Sequence, residues 1–123
     1  MKIHRPAFFL IFAVSFGVFA GNWEFSYHPA NVSYATYGSS LGDPTSPSKS
    51  DKKIAFEVKG QAAWEIFEAI GPDRRDSCFQ MPDMHFRSRD DGKLVCTKTK
   101  EGEYACYFGF DFKSGKSIGG SIC

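Results

Sequence analysis

Ile54, Phe56 and Val58 alternate with Ala55, Glu57 and Lys59. A period of two predicts a strand with one buried face. Gly60 interrupts it, and the following QAAWEIFEAIGP changes period. Ala63, Ile66, Phe67 and Ile70 share one helical stripe, with Glu65 and Glu68 on the other side. Gly71 is expected to end this helix in the left-handed conformation, and Pro72 forbids its continuation. Trp64 sits at the edge of the stripe, as a core or a contact residue.

Further on, Asp90-Asp91-Gly92, Glu101-Gly102 and Ser114-Gly115 punctuate the chain as turns. They separate a segment at 84–89 from KLVCTKTK, EYACYFGFDF and KSIGGSIC, each of strand length. The order predicts an α+β domain over residues 53–123. One helix lies on an antiparallel meander of about four to five strands. Residues 21–37 are aromatic without a sustained period. Residues 38–53 are rich in Ser, Gly, Pro and charge. Together, residues 21–52 read as a lead segment and linker.

Turn geometry then predicts how the four cysteines pair. A two-residue hairpin at Ser114-Gly115 sets Cys106 opposite Cys123 and aligns Phe108, Phe110 and Phe112 with Cys106 on one face. The helix stripe is expected to pack on those rings. A two-residue turn at Glu101-Gly102 sets Cys96 opposite Tyr107, on the face away from Cys106. The expected bridges are therefore Cys106–Cys123 and Cys78–Cys96.

The N-terminus changes the compartment. Lys2, His4 and Arg5 precede an apolar run of fourteen residues at 7–20, too short to span a bilayer as a helix. Val18-Phe19-Ala20 resembles a signal-peptidase site, so residues 1–20 read as a signal peptide cut after Ala20. The remaining 103 residues carry 13 basic and 14 acidic side chains. That balance gives no argument for nucleic acid or an anionic membrane, and no stable membrane insertion is expected after cleavage. A body this small buries a modest share of its surface, and exported chains of this size often add disulfides. The expected location is the periplasm or the medium.

Candidate chemistry is sparse. Cys78 and His85, like Cys96 and Cys106, are spaced too widely for a paired zinc motif, so no metal or cofactor is expected. No G-x-S-x-G elbow is present. Gly115-Lys116-Ser117 lacks the rest of a phosphate-binding loop. Glu65 and Glu68 at helical spacing form a solvated face more readily than a catalytic pair. No catalytic residue is assigned. Arg74, Arg75, Arg87 and Arg89, with Trp23, Tyr34 and Tyr37, are candidate partner-binding residues, because Arg, Trp and Tyr most often anchor protein interfaces. The bland alternative has the arginines pairing with neighbours such as Asp73 and Asp90, and the rings covering the sheet.

LGDPT, the helix closing on AIGPD, Tyr104-Ala105-Cys106 and the terminal GKS and GSIC resemble small exported proteins of Gram-negative bacteria without assigned function. The resemblance covers residues 38–123 and implies an envelope setting. The strand–helix–strands order is also similar to cystatin-type inhibitors, although their Q-x-V-x-G loop is missing. The chain thus reads as a non-enzymatic exported binding protein, of inhibitor or immunity type, acting on another protein. The alternatives are a small periplasmic hydrolase using His85 or the glutamates, and a passive envelope component.

Overall fold

The computed structural model describes residues 2–4, 6–7, 10–13, 21–75 and 81–121. The cleavage position after Ala20, and Cys78 and Cys123, lie outside them. In chain order the elements are β1 (Asn31–Ser40), β2 (Asp43–Thr45), β3 (Lys53–Lys59), α1 (Gln61–Ala69), β4 (His85–Arg89), β5 (Leu94–Lys98), β6 (Tyr104–Asp111) and β7 (Ser117–Ile118). They form one antiparallel sheet in the order β2-β1-β3-β6-β5-β4, with β7 added to β6. One helix on an antiparallel sheet is the α+β architecture expected.

The sheet reaches into the stretch read as lead segment and linker. Residues 31–37 of β1 pair with β3 over its whole length. Val32, Tyr34 and Thr36 alternate with Ser33, Ala35 and Tyr37. Val32, Tyr34, Thr36 and Tyr37 are good strand formers, but neither set is strongly apolar, so the period is faint in sequence. The linker is pinned as well. The Asp51 carboxylate accepts a hydrogen bond from Ser39 N at 2.8 Å and pairs with the Lys53 ammonium, which donates to Ser39 O at 2.9 Å.

The β5–β6 hairpin corrects both expected bridges. Its loop is three residues long, not two. Thr99 N donates to Glu103 O at 2.9 Å, and Gly102 N to Thr99 O at 3.0 Å. Gly102 has φ 82°, a left-handed conformation that glycine adopts without steric cost. The extra residue shifts the register by one, and a one-residue slip turns every side chain of a strand to the other face. Cys96 therefore stands opposite Cys106, and the two form a disulfide with Cα atoms 4.1 Å apart. Thr99–Glu103 is a hydrogen-bonded pair, so alternation makes Cys96–Cys106 a close, non-bonded one. With both sulfurs committed, neither Cys106–Cys123 nor Cys78–Cys96 is formed.

The β6–β7 turn is longer than expected too. Asp111 N donates to Lys116 O, and the Asp111 carboxylate caps Lys113 N at 2.8 Å and Ser114 N at 3.2 Å. The loop holds four residues, and Phe110 pairs with Ser117 instead of Gly119. Beyond β7 the chain lies flat on β6: a Cβ at Gly120 would run into the Phe108 backbone.

The core sits where α1 crosses one end of the sheet. Ala63 and Phe67 pack against Val58 and the Cys96–Cys106 bridge, flanked by Ile66, Ile70, Tyr104 and Phe108. The helix stops differently from the expectation. Ile70 caps it at φ −101°, Gly71 is not left-handed, and the Gly71–Pro72 peptide is cis.

Candidate interaction face

The helix of nine residues spans about 14 Å. The six strands of the main path span roughly 24 Å. The helix starts beside the end of β3 and finishes over β4, where Arg87 and Arg89 bond to Phe67 O and Gly71 O, so it runs across the strands and covers only their near ends. The far end of the same face is left open, and it is aromatic.

Tyr34, Phe56 and Phe108 stand directly opposite one another across β1, β3 and β6. Their ring centroids are 6.5 and 5.3 Å apart, and Phe110 continues the row at 6.3 Å from Phe108. Such cross-strand ring pairs contribute about 0.5–1.5 kcal/mol each. The row is wet at its ends and half-buried at Phe56 and Phe108: Tyr34 is 68% exposed, Phe110 39% and Phe112, in the β6–β7 loop, 52%. Lys52 Nζ sits 5.5 Å from the Phe112 ring centroid. The expectation that the helix packs on Phe110 and Phe112 therefore fails for a geometric reason: α1 crosses β6 at its Cys106 end, and one helix about 10 Å wide does not reach along the strand to Phe110.

The opposite face of the sheet carries a groove of about 580 Å³. Ala35, Leu41, Ala55, Met84 and Thr97 line it, with Glu57 and Tyr107 as its acidic and phenolic groups. Tyr107 faces Glu57 across the strands. Burial first, then the Glu57 charge and their hydrogen bond, raise its pKa above the ordinary phenol value.

The candidate arginines divide. Arg87 N–H groups donate to the Phe67 carbonyl at 2.7 Å and to Asp73 at 2.8 Å, and its guanidinium lies 3.9 Å from the Phe67 ring centroid. Phe67 O is one of the helix-end carbonyls left without an intrahelical partner, and a cation there also complements the helix dipole. Arg89 donates to Gly71 O. These two side chains clamp the helix end to β4. Arg74 and Arg75 are exposed, and Arg74 N donates to Phe86 O at 2.7 Å on the outer edge of β4.

Asp73 also receives His85 Nδ1 at 2.6 Å. The Arg87 hydrogen bond, then that of His85, hold the Asp73 carboxyl below its ordinary pKa. Among the described residues the imidazole's hydrogen-bond partner is the Asp73 carboxylate, and no hydroxyl or thiol side chain bonds to it. Glu65 and Glu68 lie exposed on α1. Among the described residues no group of three or more His, Cys, Asp or Glu side chains is placed to hold a metal ion.

Of the candidate aromatics, Tyr37 is 6% exposed, on the groove side of the sheet, where burial raises its pKa. Tyr34 is central to the open row. Trp23 belongs to an extended, exposed arm whose rings Trp23, Phe25 and Tyr27 touch one another at 6.3 and 5.3 Å. Sequence reading took Phe110 and Phe112 for core, and both are surface residues; Phe56 is half-buried, and Phe108 packs against the covered core as expected. The signal was an aromatic alternation along β6 that runs further than one helix laid across the strand can cover.

No family model, no curated protein and no solved structure matches this chain. Among the described residues no helix is long and apolar enough to cross a membrane.

Proposed function

We propose that this chain is an exported, non-enzymatic binding protein that occupies another envelope or secreted protein, as an inhibitor or immunity factor does. The observation that carries this reading is the row Tyr34, Phe56, Phe108 and Phe110, open to water at Tyr34 and Phe110, on a disulfide-stapled sheet. Rigid aromatic rings held in place before contact lose little entropy on binding, and such residues supply most interface hot spots. Phe112 and the Lys52 beside it extend the same surface. Export rests on the N-terminal pattern and agrees with the disulfide, which persists in oxidising compartments.

The test is a photo-crosslinking residue in place of Phe112, with the protein exported by its own signal. One adduct with a second protein, of fixed mass and lost in Phe110→Asp, is the expected result. Adducts only with itself, or none, count against the reading. A hydrolase would instead turn over a substrate and lose that turnover in His85→Ala or Glu65→Ala.

A further inference from the structure

β1 is an edge strand for part of its length. β2 covers its outer edge only at Gly38, Ser39 and Ser40. Among the described residues nothing pairs with that edge from Asn31 to Tyr37, although β3 pairs with the inner edge of the same seven residues. Exposed edges are ordinarily blunted by charge, proline or covering chain. The other flank of the sheet follows that rule: β4 carries His85, Arg87 and Arg89, and Arg74 N closes on Phe86 O. β1 does not. No Asp, Glu, Lys or Arg occurs between Glu24 and Asp43.

We infer that the free edge of β1 pairs antiparallel with the β1 of a second copy of this chain, about a two-fold axis at Tyr34. The open window sets the register. It is closed at one end by β2, from Gly38 onward, and at the other by Pro29, which has no N–H to give a ladder. Seven residues centred on Tyr34 can then pair only as 31 with 37, 32 with 36, 33 with 35, and 34 with itself.

A surface that docks on itself meets its own side chains across the two-fold axis, so like charges at paired positions would oppose self-pairing. Here Tyr34 meets Tyr34, Val32 meets Thr36, and Ser33 meets Ala35. The nearest charges, Lys53, Glu57 and Lys59, lie one strand back and on the opposite face. The two aromatic rows would join through their Tyr34 rings into one band across both copies. Val32 and Tyr34, 46% and 68% exposed, would be covered. The inference stands independently of the proposed function.

Sedimentation equilibrium of the exported chain, purified with its disulfide intact, tests it through register-specific charges. The parent is expected to dimerise with rising concentration. V32K/T36K opposes like charges at two symmetric places and is expected to weaken dimerisation on the order of a hundredfold. V32K/T36E opposes unlike charges at the same places and is expected to restore it. Circular dichroism of both variants checks that the monomer fold is kept, which the exposure of both positions favours. A parent that stays monomeric at every concentration, or a dimer indifferent to V32K/T36K, overturns the inference.

Discussion

The two ends of β6 belong to one strand and one face, yet they live in different solvents. At the Cys106 end, α1 and the bridge to β5 close over the sheet, and Val58, Ala63, Phe67 and both cysteines are buried. Four residues along, Phe110 keeps two-fifths of its surface in water. Residue type alone does not separate buried from open, because Phe67 of α1 and Phe110 of β6 are the same side chain. The helix does. It makes one end a core and leaves the other as a rigid surface with an apolar complexion. Stability should therefore be concentrated at the covered end and recognition at the open one.

Phe67→Ala should produce the largest loss. Phe67 is 2% exposed, lies edge-on to Tyr104 and carries the Arg87 guanidinium on its face. Truncation leaves a cavity and a cation without its platform, at a cost of about 3–5 kcal/mol. Urea denaturation of Phe67→Ala beside Phe110→Ala checks the contrast directly. Equal losses would dissolve the distinction between the two ends.

Reduction of Cys96–Cys106 ranks next. The bridge closes a loop of sequence separation 10, for which the chain-entropy estimate is about 3 kcal/mol. Melting with and without reductant measures it. Peptide mapping without reductant should recover Cys96 linked to Cys106. Cys78 and Cys123 are then each other's only partners left within the chain, so the same map should either join those two or find them as free thiols. A map with Cys106 joined to Cys123 would restore the register expected from a two-residue turn.

That register shows which parts of the fold are legible in the sequence. The strand at 53–59 and the helix announce themselves because one face of each is strongly apolar. The strands of the meander are marked by their turns. What the turn residues do not specify is loop length. Glu101-Gly102 is the end of a three-residue loop and Ser114-Gly115 the end of a four-residue one, and glycine holds the left-handed position in both. An error of one residue in the first loop reversed the facing of Cys96. An error of two in the second kept the facing and moved only the partners. β1 was illegible for another reason: its two faces are nearly alike, and only its alignment with β3 makes it a strand. The open aromatic row was half legible. Its rings were read onto one face, but whether they are core or surface depends on where the helix crosses β6.

Acid should loosen the tie that Asp73 makes at the covered end. Asp73 ties Arg87 and His85 to the loop that follows α1, and its carboxyl titrates below the ordinary carboxylate range. A depressed folded-state pKa adds stability that is fully present above the unfolded value of about 4 and is lost as the pH falls through the folded one. Asp73 is 44% exposed, so water screens the pair and the contribution should stay below about 1 kcal/mol. Asp73→Asn should flatten the fall in melting temperature below about pH 4. An unchanged acid limb would remove Asp73 from the account.

The smallest effect on stability belongs to the open end, and there the sign of the comparison reverses. Phe110→Thr keeps a good strand former, removes one edge-on contact with Phe108 and gives up a ring that water already reaches. It should cost about 1 kcal/mol or less in urea denaturation. If the open row is the surface that meets a partner, the same substitution should weaken complex formation by about 2 kcal/mol or more, as truncation of a hot-spot ring does. Phe67→Ala, assayed under conditions where it remains folded, should leave that affinity nearly unchanged. A Phe110→Thr variant that binds its partner as tightly as the parent would move recognition away from the aromatic row, and the groove beside Glu57 and Tyr107 would be the next surface to test.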